Sequence, residues 1–111
     1  WLRSGKPPDF DKIDEGENRI IIAGFGRVGQ IVGRILRLRK IGFTALEMSQ
    51  EQVDVVRRFG SKVYYGDASR VDLLRAAKAD KAEIFVLAID DVASSLKTAT
   101  TVKKHFPNLA I

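Results

Sequence analysis

The sequence predicts an α/β fold in which a doubly wound parallel sheet lies between two layers of helices. Short, nearly continuous apolar runs alternate along the chain with longer stretches of helical period. Such continuous runs are typical of strands that are buried on both faces. A glycine-rich turn joins the first run to the first helical stretch. Because strand and helix alternate, the strands should be parallel and their crossovers right-handed.

The first half of the fold contains two predicted strand–helix pairs. They are a strand at 20–23, a helix at about 28–40, a strand at 43–46 and a helix at about 50–59. In the first helix the apolar residues fall largely on one side. These residues are Val28, Ile31, Val32, Ile35, Leu36 and Leu38. Gly42 is the predicted stop of this helix. Ser49 and Gln52 have capping-box spacing at the start of the second helix, and Gly60 ends it.

The second half repeats the pattern. Its predicted elements are a strand at 62–65, a short helix to about 77, a strand at 84–89 and a helix to about 105. Ser69 is the predicted N-cap of the short helix. Asp90 or Asp91 can cap the last helix, which Pro107 ends. Because 109–111 begins a further apolar run, the natural chain is expected to continue beyond this sequence.

Composition excludes several classes of protein. The chain has 111 residues, no cysteine and one histidine, so disulfides and the usual cysteine and histidine metal sites are excluded. The apolar runs are far shorter than the roughly 20 residues that cross a bilayer, and the N-terminus lacks the apolar stretch of a signal peptide. Taken alone, the chain is expected to be soluble and cytosolic.

Charge divides the chain into two parts. Residues 1–18 carry a net charge of −2 and include Pro7-Pro8, so they are predicted to be a linker, and residues 19–111 the domain. The domain carries +7, and six basic residues occur between Arg19 and Lys40 without an acidic one. No recognition-helix motif or aromatic-interleaved basic strand accompanies them. A nucleic-acid partner is therefore not expected.

A glycine motif lies where the first predicted strand turns into the first helix. The motif is Gly24-Phe25-Gly26-Arg27-Val28-Gly29. In this context it is typical of a Rossmann-type nucleotide-binding domain. The first glycine permits the tight turn, the second lets a phosphate approach the backbone, and the third allows helix and strand to pack closely. The phosphate is predicted to lie at the helix N-terminus.

Three strand ends are expected to border the same crevice. Glu47 follows the second strand, where a carboxylate can accept hydrogen bonds from an adenosine ribose and would repel a 2′-phosphate. We interpret Glu47 as a ribose ligand for NAD(H) or an adenine mononucleotide rather than as a solvated strand end. Asp67 could bind an adenine amino group or shape its turn, and one of Asp90 and Asp91 could contact the ligand. Beyond the motif, the predicted binding residues are Glu47, Met48, Asp67, Ala68, Ile89 and Asp90.

The sequence does not support hydride-transfer chemistry. A dehydrogenase needs a proton donor and a substrate site beside the nicotinamide, normally from a second domain or a long extension. Tyr64 and Tyr65 lack a lysine four residues later, and His105 lies late in the last helix. We expect a protein without enzyme activity. The alternative is a fragment of a small NAD-dependent oxidoreductase.

Four segments occur together in a characteristic order: Ile20–Gln30, Val63–Ser69, Ala88–Asp91 and Lys104–Pro107. In this order they resemble the cytosolic domain of Kef-type glutathione-gated potassium efflux systems, a regulator-of-conductance (RCK, KTN or TrkA-N) class of Rossmann domain. The acidic approach Asp9–Asp14 is similar to the linker from the membrane antiporter. The likeness covers roughly residues 10–111.

The resemblance implies a ligand-sensing domain of a membrane potassium/proton antiporter, at the cytoplasmic face of the inner membrane. It implies a homodimer formed through the Rossmann domain, with NAD(H) or AMP in the glycine crevice and glutathione or its adducts as regulatory ligands. Arg27 could hold a glutathione carboxylate, neutralise a phosphate or remain a solvated loop cation. Glutathione sensing here would be non-covalent, since the chain has no thiol. The residues implied at the nucleotide site are Gly24, Gly26, Gly29, Glu47 and Asp67.

Overall fold

A computed structural model of the protein describes residues 10–111, in which four strands alternate with four helices. Residues 1–9 of the predicted linker, with Pro7-Pro8, lie outside the described residues. The elements are β1 (Ile20–Ala23), α1 (Arg27–Leu38), β2 (Phe43–Glu47), α2 (Gln50–Arg58), β3 (Tyr64–Tyr65), α3 (Val71–Ala76), β4 (Ile84–Leu87) and α4 (Val92–His105). The predicted alternation is confirmed, although β3 and β4 are shorter than the sequence pattern suggests.

The strands form one parallel sheet in the order β3-β2-β1-β4. β1 lies between β2 and β4, and Ile20 is in register with both Phe43 and Ile84. The chain runs outward from β1 to β3 and then crosses to the other side of β1. This change of direction opens a crevice at the carboxyl ends of the strands. Beyond β4, Ala110 makes a parallel bridge with Ile84, at the start of the further apolar run.

Helices cover both faces of the sheet, which confirms the predicted three-layer α/β/α architecture. On one face α1 and α2 pack over the β1 and β2 side chains, with Ile22 and Val53 in the same apolar cluster. On the other face α3 and α4 pack around Ile21, Leu74 and Val102. No helix within residues 10–111 is long and apolar enough to span a bilayer.

The helix starts confirm two predicted caps and correct a third. The Ser49 hydroxyl and the Asp91 carboxylate each accept a backbone N–H in the first turn of their helices, at 3.2 and 2.8 Å. Ser69, in contrast, does not cap α3, because Arg70 occupies the N-cap position without a side-chain cap. The Ser69 N–H and hydroxyl both donate to Asp67 instead, so the serine belongs to the turn before the helix.

α1 ends at Leu38, and the residue that stops it is Lys40 and not the predicted Gly42. Lys40 adopts a left-handed φ of 58°, and its N–H and that of Ile41 donate to carbonyls of the last helical turn. This is the Schellman arrangement, which here takes lysine where glycine is usual. Gly42 instead leaves room for Asn18, whose Oδ1 would lie 2.5 Å from an added Cβ. Gly60 closes α2 as predicted, with a φ of 86°.

The apolar side predicted for α1 divides into two faces. The face on the sheet contains two buried glycines and the partly buried Val32 and Leu36. A Cβ at Gly33 would lie 3.1 Å from the rings of Phe25 and Phe43, so the helix approaches the sheet on its glycine side. The other apolar residues, which we call the α1 stripe, are Val28, Ile31, Ile35 and Leu38. They are 53 to 79% exposed, so four of the six apolar residues predicted on this side of α1 are left uncovered.

Candidate functional site

A crevice with a volume of about 420 Å³ opens at the carboxyl ends of the strands. Its walls come from the β1–α1 turn and from the residues that follow β2, β3 and β4. It brings together eight of the residues predicted from sequence. These are Gly24, Gly26, Glu47, Met48, Asp67, Ala68, Ile89 and Asp90.

The glycines of the β1–α1 turn serve different purposes. Gly24 has a φ of 95°, and a Cβ there would lie 2.5 Å from the Ala88 carbonyl oxygen. A Cβ at Gly29 would collide with the Gly24 carbonyl. Beside Gly26, however, the nearest neighbour is Asp90 Oδ2 at 3.9 Å from such a Cβ. Gly24 and Gly29 are therefore required by packing, whereas Gly26 leaves open space that faces the crevice.

The N-terminus of α1 opens beside this space. Gly26 is the N-cap residue, no side chain caps the helix, and its first turn holds no acidic residue. The backbone N–H groups of that turn thus have no side-chain acceptor. A helix N-terminus of this kind attracts anions through its free N–H groups and the helix dipole. The arrangement suits a phosphate group.

Glu47 is tied into the crevice by two backbone hydrogen bonds. One carboxylate oxygen accepts the Phe25 N–H at 2.8 Å, and the other accepts the Ser49 N–H at 2.8 Å. The carboxylate thereby joins the glycine turn to the start of α2. Since two carboxylate oxygens offer about four lone-pair sites, acceptor positions remain for ligand hydroxyls. This double hydrogen bond was not predicted from the sequence.

Gln52 lines the crevice, although the sequence analysis did not predict it as a binding residue. Its spacing from Ser49 predicts a reciprocal capping box, but its Nε2 donates to the Phe25 carbonyl at 3.0 Å instead. The Ser49 N–H, which a capping-box glutamine would bind, is taken by Glu47. The capping-box spacing drew attention to Gln52, but only the fold shows that its side chain binds the Phe25 carbonyl.

Two aspartates in the walls have structural partners. Asp67 Oδ1 accepts the Ser69 N–H at 2.9 Å and hydroxyl at 2.8 Å, so Asp67 shapes its turn. Asp91 caps α4, and the backbone N–H of Ser94 holds its pKa below the ordinary value. Asp90 is left as the aspartate whose carboxylate faces Gly26 across the crevice.

Four of the predicted site residues do not line the crevice. Phe25 has its ring fully buried in the core and contributes its backbone N–H and carbonyl. Gly29 lies beneath the turn, and Arg27 and Val28 are exposed.

Within residues 10–111 the lining of the crevice holds four acidic residues and no lysine, arginine, histidine or tyrosine. An anion in the crevice would thus depend on backbone N–H groups, and the exposed Arg27 directly follows the lining residue Gly26 in the chain. Within residues 10–111, no three histidine, aspartate or glutamate side chains come together as a group that could hold a metal ion.

Comparison with known sequences identifies one family. The chain matches the TrkA-N domain over residues 20–111. It is 50% identical over 108 residues to the glutathione-regulated potassium-efflux system protein KefC of Klebsiella pneumoniae, a match that covers 97% of this chain and 17% of that protein. KefC of Salmonella newport is 45% identical with the same coverage. The chain therefore spans about a sixth of the length of the curated relatives that it matches.

Solved structures agree with this result. A structure described as the Shewanella denitrificans Kef CTD in AMP bound form superposes with a TM-score of 0.71 at 42% identity, covering 83% of this chain and 54% of that one. The TrkA-N domain of the inner membrane protein ybaL from Escherichia coli gives a TM-score of 0.71 at 24% identity, covering 83% and 68%. The second likeness shows the fold alone.

Proposed function

The chain belongs to the TrkA-N domain family, and from that premise we propose that it is the nucleotide-binding regulatory domain of a Kef-type potassium efflux protein. One observation carries the proposal. The uncapped N-terminus of α1, the open side of Gly26 and the carboxylate of Glu47 meet in a single crevice. These are the parts that a phosphate and an adenosine ribose require.

The nucleotide is an adenine nucleotide, AMP or NAD(H). Its phosphate binds at the α1 N-terminus beside Gly26, and its ribose hydroxyls donate to Glu47. Its adenine lies toward Asp67 and Ala68, where Asp67 has one carboxylate oxygen committed to its turn. The Shewanella denitrificans Kef CTD, which was solved in AMP bound form, supports AMP. For NAD(H), the second half of the ligand would extend toward Asp90.

Calorimetric titration of the domain with AMP, NADH and NADPH tests this assignment. AMP or NADH should release heat and raise the melting temperature. NADPH should bind at least about tenfold more weakly than NADH, because its 2′-phosphate would lie against the Glu47 carboxylate. No heat and no thermal shift at millimolar AMP and NADH would overturn the nucleotide site. Equal affinities for NADH and NADPH would show that Glu47 does not bind the ribose.

The proposal extends from nucleotide binding to potassium transport and its control by glutathione. The KefC relatives are named as glutathione-regulated potassium-efflux proteins. We infer that this chain serves a potassium/proton antiporter at the cytoplasmic face of the inner membrane, with glutathione holding transport closed and glutathione adducts opening it. Such a ligand gates only through different affinities for the two states.

Arg27 is the residue by which this part can be tested. It is exposed and directly follows the crevice residue Gly26, a position from which it could meet a glutathione carboxylate or a phosphate. Arg27→Ala in the full-length protein should weaken glutathione control of potassium efflux. Arg34→Ala, an exposed arginine on the same helix, is the control. Unchanged gating in the Arg27 variant would exclude Arg27 from the glutathione site.

A homodimer completes the proposed function, and the α1 stripe supports it. The four residues are spaced three, four and three apart, which is the spacing of the apolar seam between paired helices. Exposed apolar side chains in such a row are typical of a protein interface. A second copy of the domain would cover the stripe.

The oxidoreductase alternative lacks support from the site. The described crevice offers carboxylates, a glutamine and hydroxyl groups, and no lysine, histidine or tyrosine that could act as the proton donor. We therefore keep the proposal of a binding domain without enzyme activity. Incubation with NADH and candidate carbonyl substrates should leave the absorbance of NADH at about 340 nm constant, because no proton donor is available for hydride transfer.

A further inference from the structure

Residues 10–18, which we call the strap, lie along the free edge of the sheet. β3 is the outermost strand on that side, and its backbone would otherwise be open to pairing with another chain. The Asp11 N–H donates to the Tyr65 carbonyl at 2.9 Å. In return, Asp11 Oδ2 accepts the Tyr65 N–H at 2.9 Å and the Arg57 guanidinium at 2.7 Å. A single residue of the strap thus satisfies both backbone groups of the edge residue.

A second set of contacts fixes the strap further along. The Glu15 carboxylate accepts from Lys62 at 2.8 Å, from the Tyr64 hydroxyl at 2.9 Å and from Asn18 at 3.0 Å. The Glu15 carbonyl accepts from Lys78 at 3.1 Å. The Glu15 side chain is only 17% exposed. These contacts reach β3 and the end of α3, so the strap is attached to the domain at two places.

Phe10 connects the strap to the wall of the crevice. Its Cβ would lie 2.7 Å from a Cβ at Gly66, and Gly66 lines the crevice together with Asp67 and Ala68. The Arg70 guanidinium lies over the Phe10 ring, 5.3 Å from its centre. The turn at 66–70 therefore has the crevice on one side and the strap on the other.

We propose that docking of the strap and occupation of the crevice by the nucleotide strengthen each other through the turn at 66–70. This inference rests on the nucleotide site proposed above. Strap docking and nucleotide binding would both order the turn at 66–70. Once one of them has ordered the turn, the other loses less conformational entropy. The coupling is reciprocal, so release of the strap must weaken nucleotide binding by the same factor. Nucleotide occupancy is thereby transmitted to the chain that precedes residue 10.

Hydrogen exchange of the wild-type chain, with and without saturating AMP, tests the coupling directly. AMP should slow exchange of the Asp11 and Tyr65 N–H groups by about fivefold or more, in the range of typical coupling factors. The Phe106 and Leu109 N–H groups, which bond within the C-terminal end of the fold, serve as reference and should change less. Bound AMP without a selective change at the strap would overturn the coupling and leave the nucleotide site intact.

Two aspartates of the strap provide a matched pair of variants. Asp11→Ala removes the side-chain hydrogen bonds with the Tyr65 N–H and with Arg57, although Asp11 does not line the crevice. Asp14 is exposed, and its contacts with the domain use its backbone carbonyl, so Asp14→Ala is the control of equal charge. We expect AMP binding to weaken about fivefold or more in the Asp11 variant and to stay unchanged in the control.

Phe10→Ala provides an independent second variant, because it removes the ring under the Arg70 guanidinium without changing charge, while the Cβ beside Gly66 stays. It should weaken AMP binding in the same direction. Equal AMP affinity in wild type, Asp11→Ala and Phe10→Ala would overturn the coupling. Failure of the wild type itself to bind AMP would overturn the nucleotide site and the coupling together, which distinguishes the two outcomes.

Discussion

At the residue scale, the three glycines of the β1–α1 turn look alike in the sequence and differ in the structure. Gly24 and Gly29 are surrounded by backbone atoms that leave no room for a methyl group. Gly26 has open space on its crevice side. The first two are therefore needed for folding, while the third leaves the space through which we propose that the ligand approaches the backbone.

Gly26→Ala should separate folding from binding. Its methyl group meets nothing closer than 3.9 Å, so the variant should fold with a stability change of less than about 1 kcal/mol. Because that methyl group would occupy the space proposed for the phosphate, AMP affinity should fall by more than about tenfold. Thermal unfolding and calorimetry measure the two effects. Gly29→Ala is the contrasting control, since it should fail to fold stably.

A Gly26 variant that binds AMP as tightly as the wild type would place the phosphate elsewhere. In that event the free N–H groups of α1 would no longer explain the site, and Glu47 alone would remain as its evident ligand. Loss of folding in Gly26→Ala would contradict the open space seen beside this residue.

Glu47 shows how far residue-level prediction can go. Its position after β2 was enough to predict a crevice carboxylate, because the carboxyl ends of parallel strands meet at one edge. Its two hydrogen bonds to Phe25 and Ser49 were not predictable, since the Phe25 N–H is 22 residues away in the chain. The sequence identified a carboxylate that lines the crevice, and the fold supplied its hydrogen-bond partners.

At the element scale, the main difference between the sequence pattern and the structure is that much of the apolar side of α1 is exposed. A helix with apolar residues on one broad side is expected to bury that side. The sheet contacts only the part that contains the two buried glycines, because small residues let the helix axis approach most closely. The α1 stripe is left exposed, and its spacing fits a second helix of the same kind.

Replacing Ile31 and Ile35 by serine should dissociate the proposed dimer. Both side chains are more than half exposed in the monomer, so the melting temperature of the monomer should change little. Loss of their burial at an interface costs about 2 kcal/mol, which weakens dimerisation about 30-fold. Sedimentation velocity at several concentrations measures this change.

Phe59→Ser is the control for this experiment. Phe59 is 85% exposed and follows α2, so it tests loss of exposed apolar surface away from the α1 stripe. We expect the control to remain dimeric. A monomeric wild type, or a double variant that dimerises as the wild type does, would contradict the assignment of the stripe to a dimer.

At the scale of the whole molecule, the strap holds the edge of the sheet through a partly buried charge. Burial alone would raise the pKa of Glu15, but hydrogen bonds from Lys62, Tyr64 and Asn18 outweigh it and hold the pKa below the ordinary 4.5. The hydrogen bond that Lys62 donates to Glu15 is also the main reason that the pKa of Lys62 is raised. The charged form of Glu15 therefore stabilises the folded chain.

Glu15→Gln should lower stability in a pH-dependent manner. A group whose pKa is lower in the folded state stabilises fully above its unfolded pKa and loses that contribution as the pH falls through the folded pKa. The variant should thus be less stable by about 1–3 kcal/mol at pH 7, since its amide turns a donor toward Lys62 or Asn18. Below pH 4.5 the difference from wild type should shrink.

Urea unfolding between about pH 3 and pH 8, a range that includes the ordinary carboxylate pKa values, measures this difference. Glu17→Gln is the matched control, because Glu17 is exposed in the same segment. A difference between Glu15→Gln and wild type that stayed constant across the whole range would show that the charge of Glu15 is not what holds the strap.

Local signals in the sequence were enough to predict the fold class, the position of the crevice and the family. Hydrophobic period, glycine spacing and strand-end carboxylates are such signals, and backbone geometry converts them directly into strand, turn and helix. They were sufficient to predict the parallel sheet and eight of the crevice residues. The predictions at Ser69 and Gly42 were wrong, because Ser69 donates to Asp67 within the turn and Lys40 takes the left-handed position where glycine is usual.

Long-range contacts, in turn, select the side of α1 that meets the sheet, the atoms that Glu47 binds and the path of residues 10–18. Each of these depends on contacts between segments far apart in the chain, such as Asp11 with Arg57 or Glu15 with Lys62. A local pattern shows that a helix has an apolar side or that a segment is acidic. Packing density and the need to satisfy buried polar groups then select the partner, and those constraints exist only once the chain has folded.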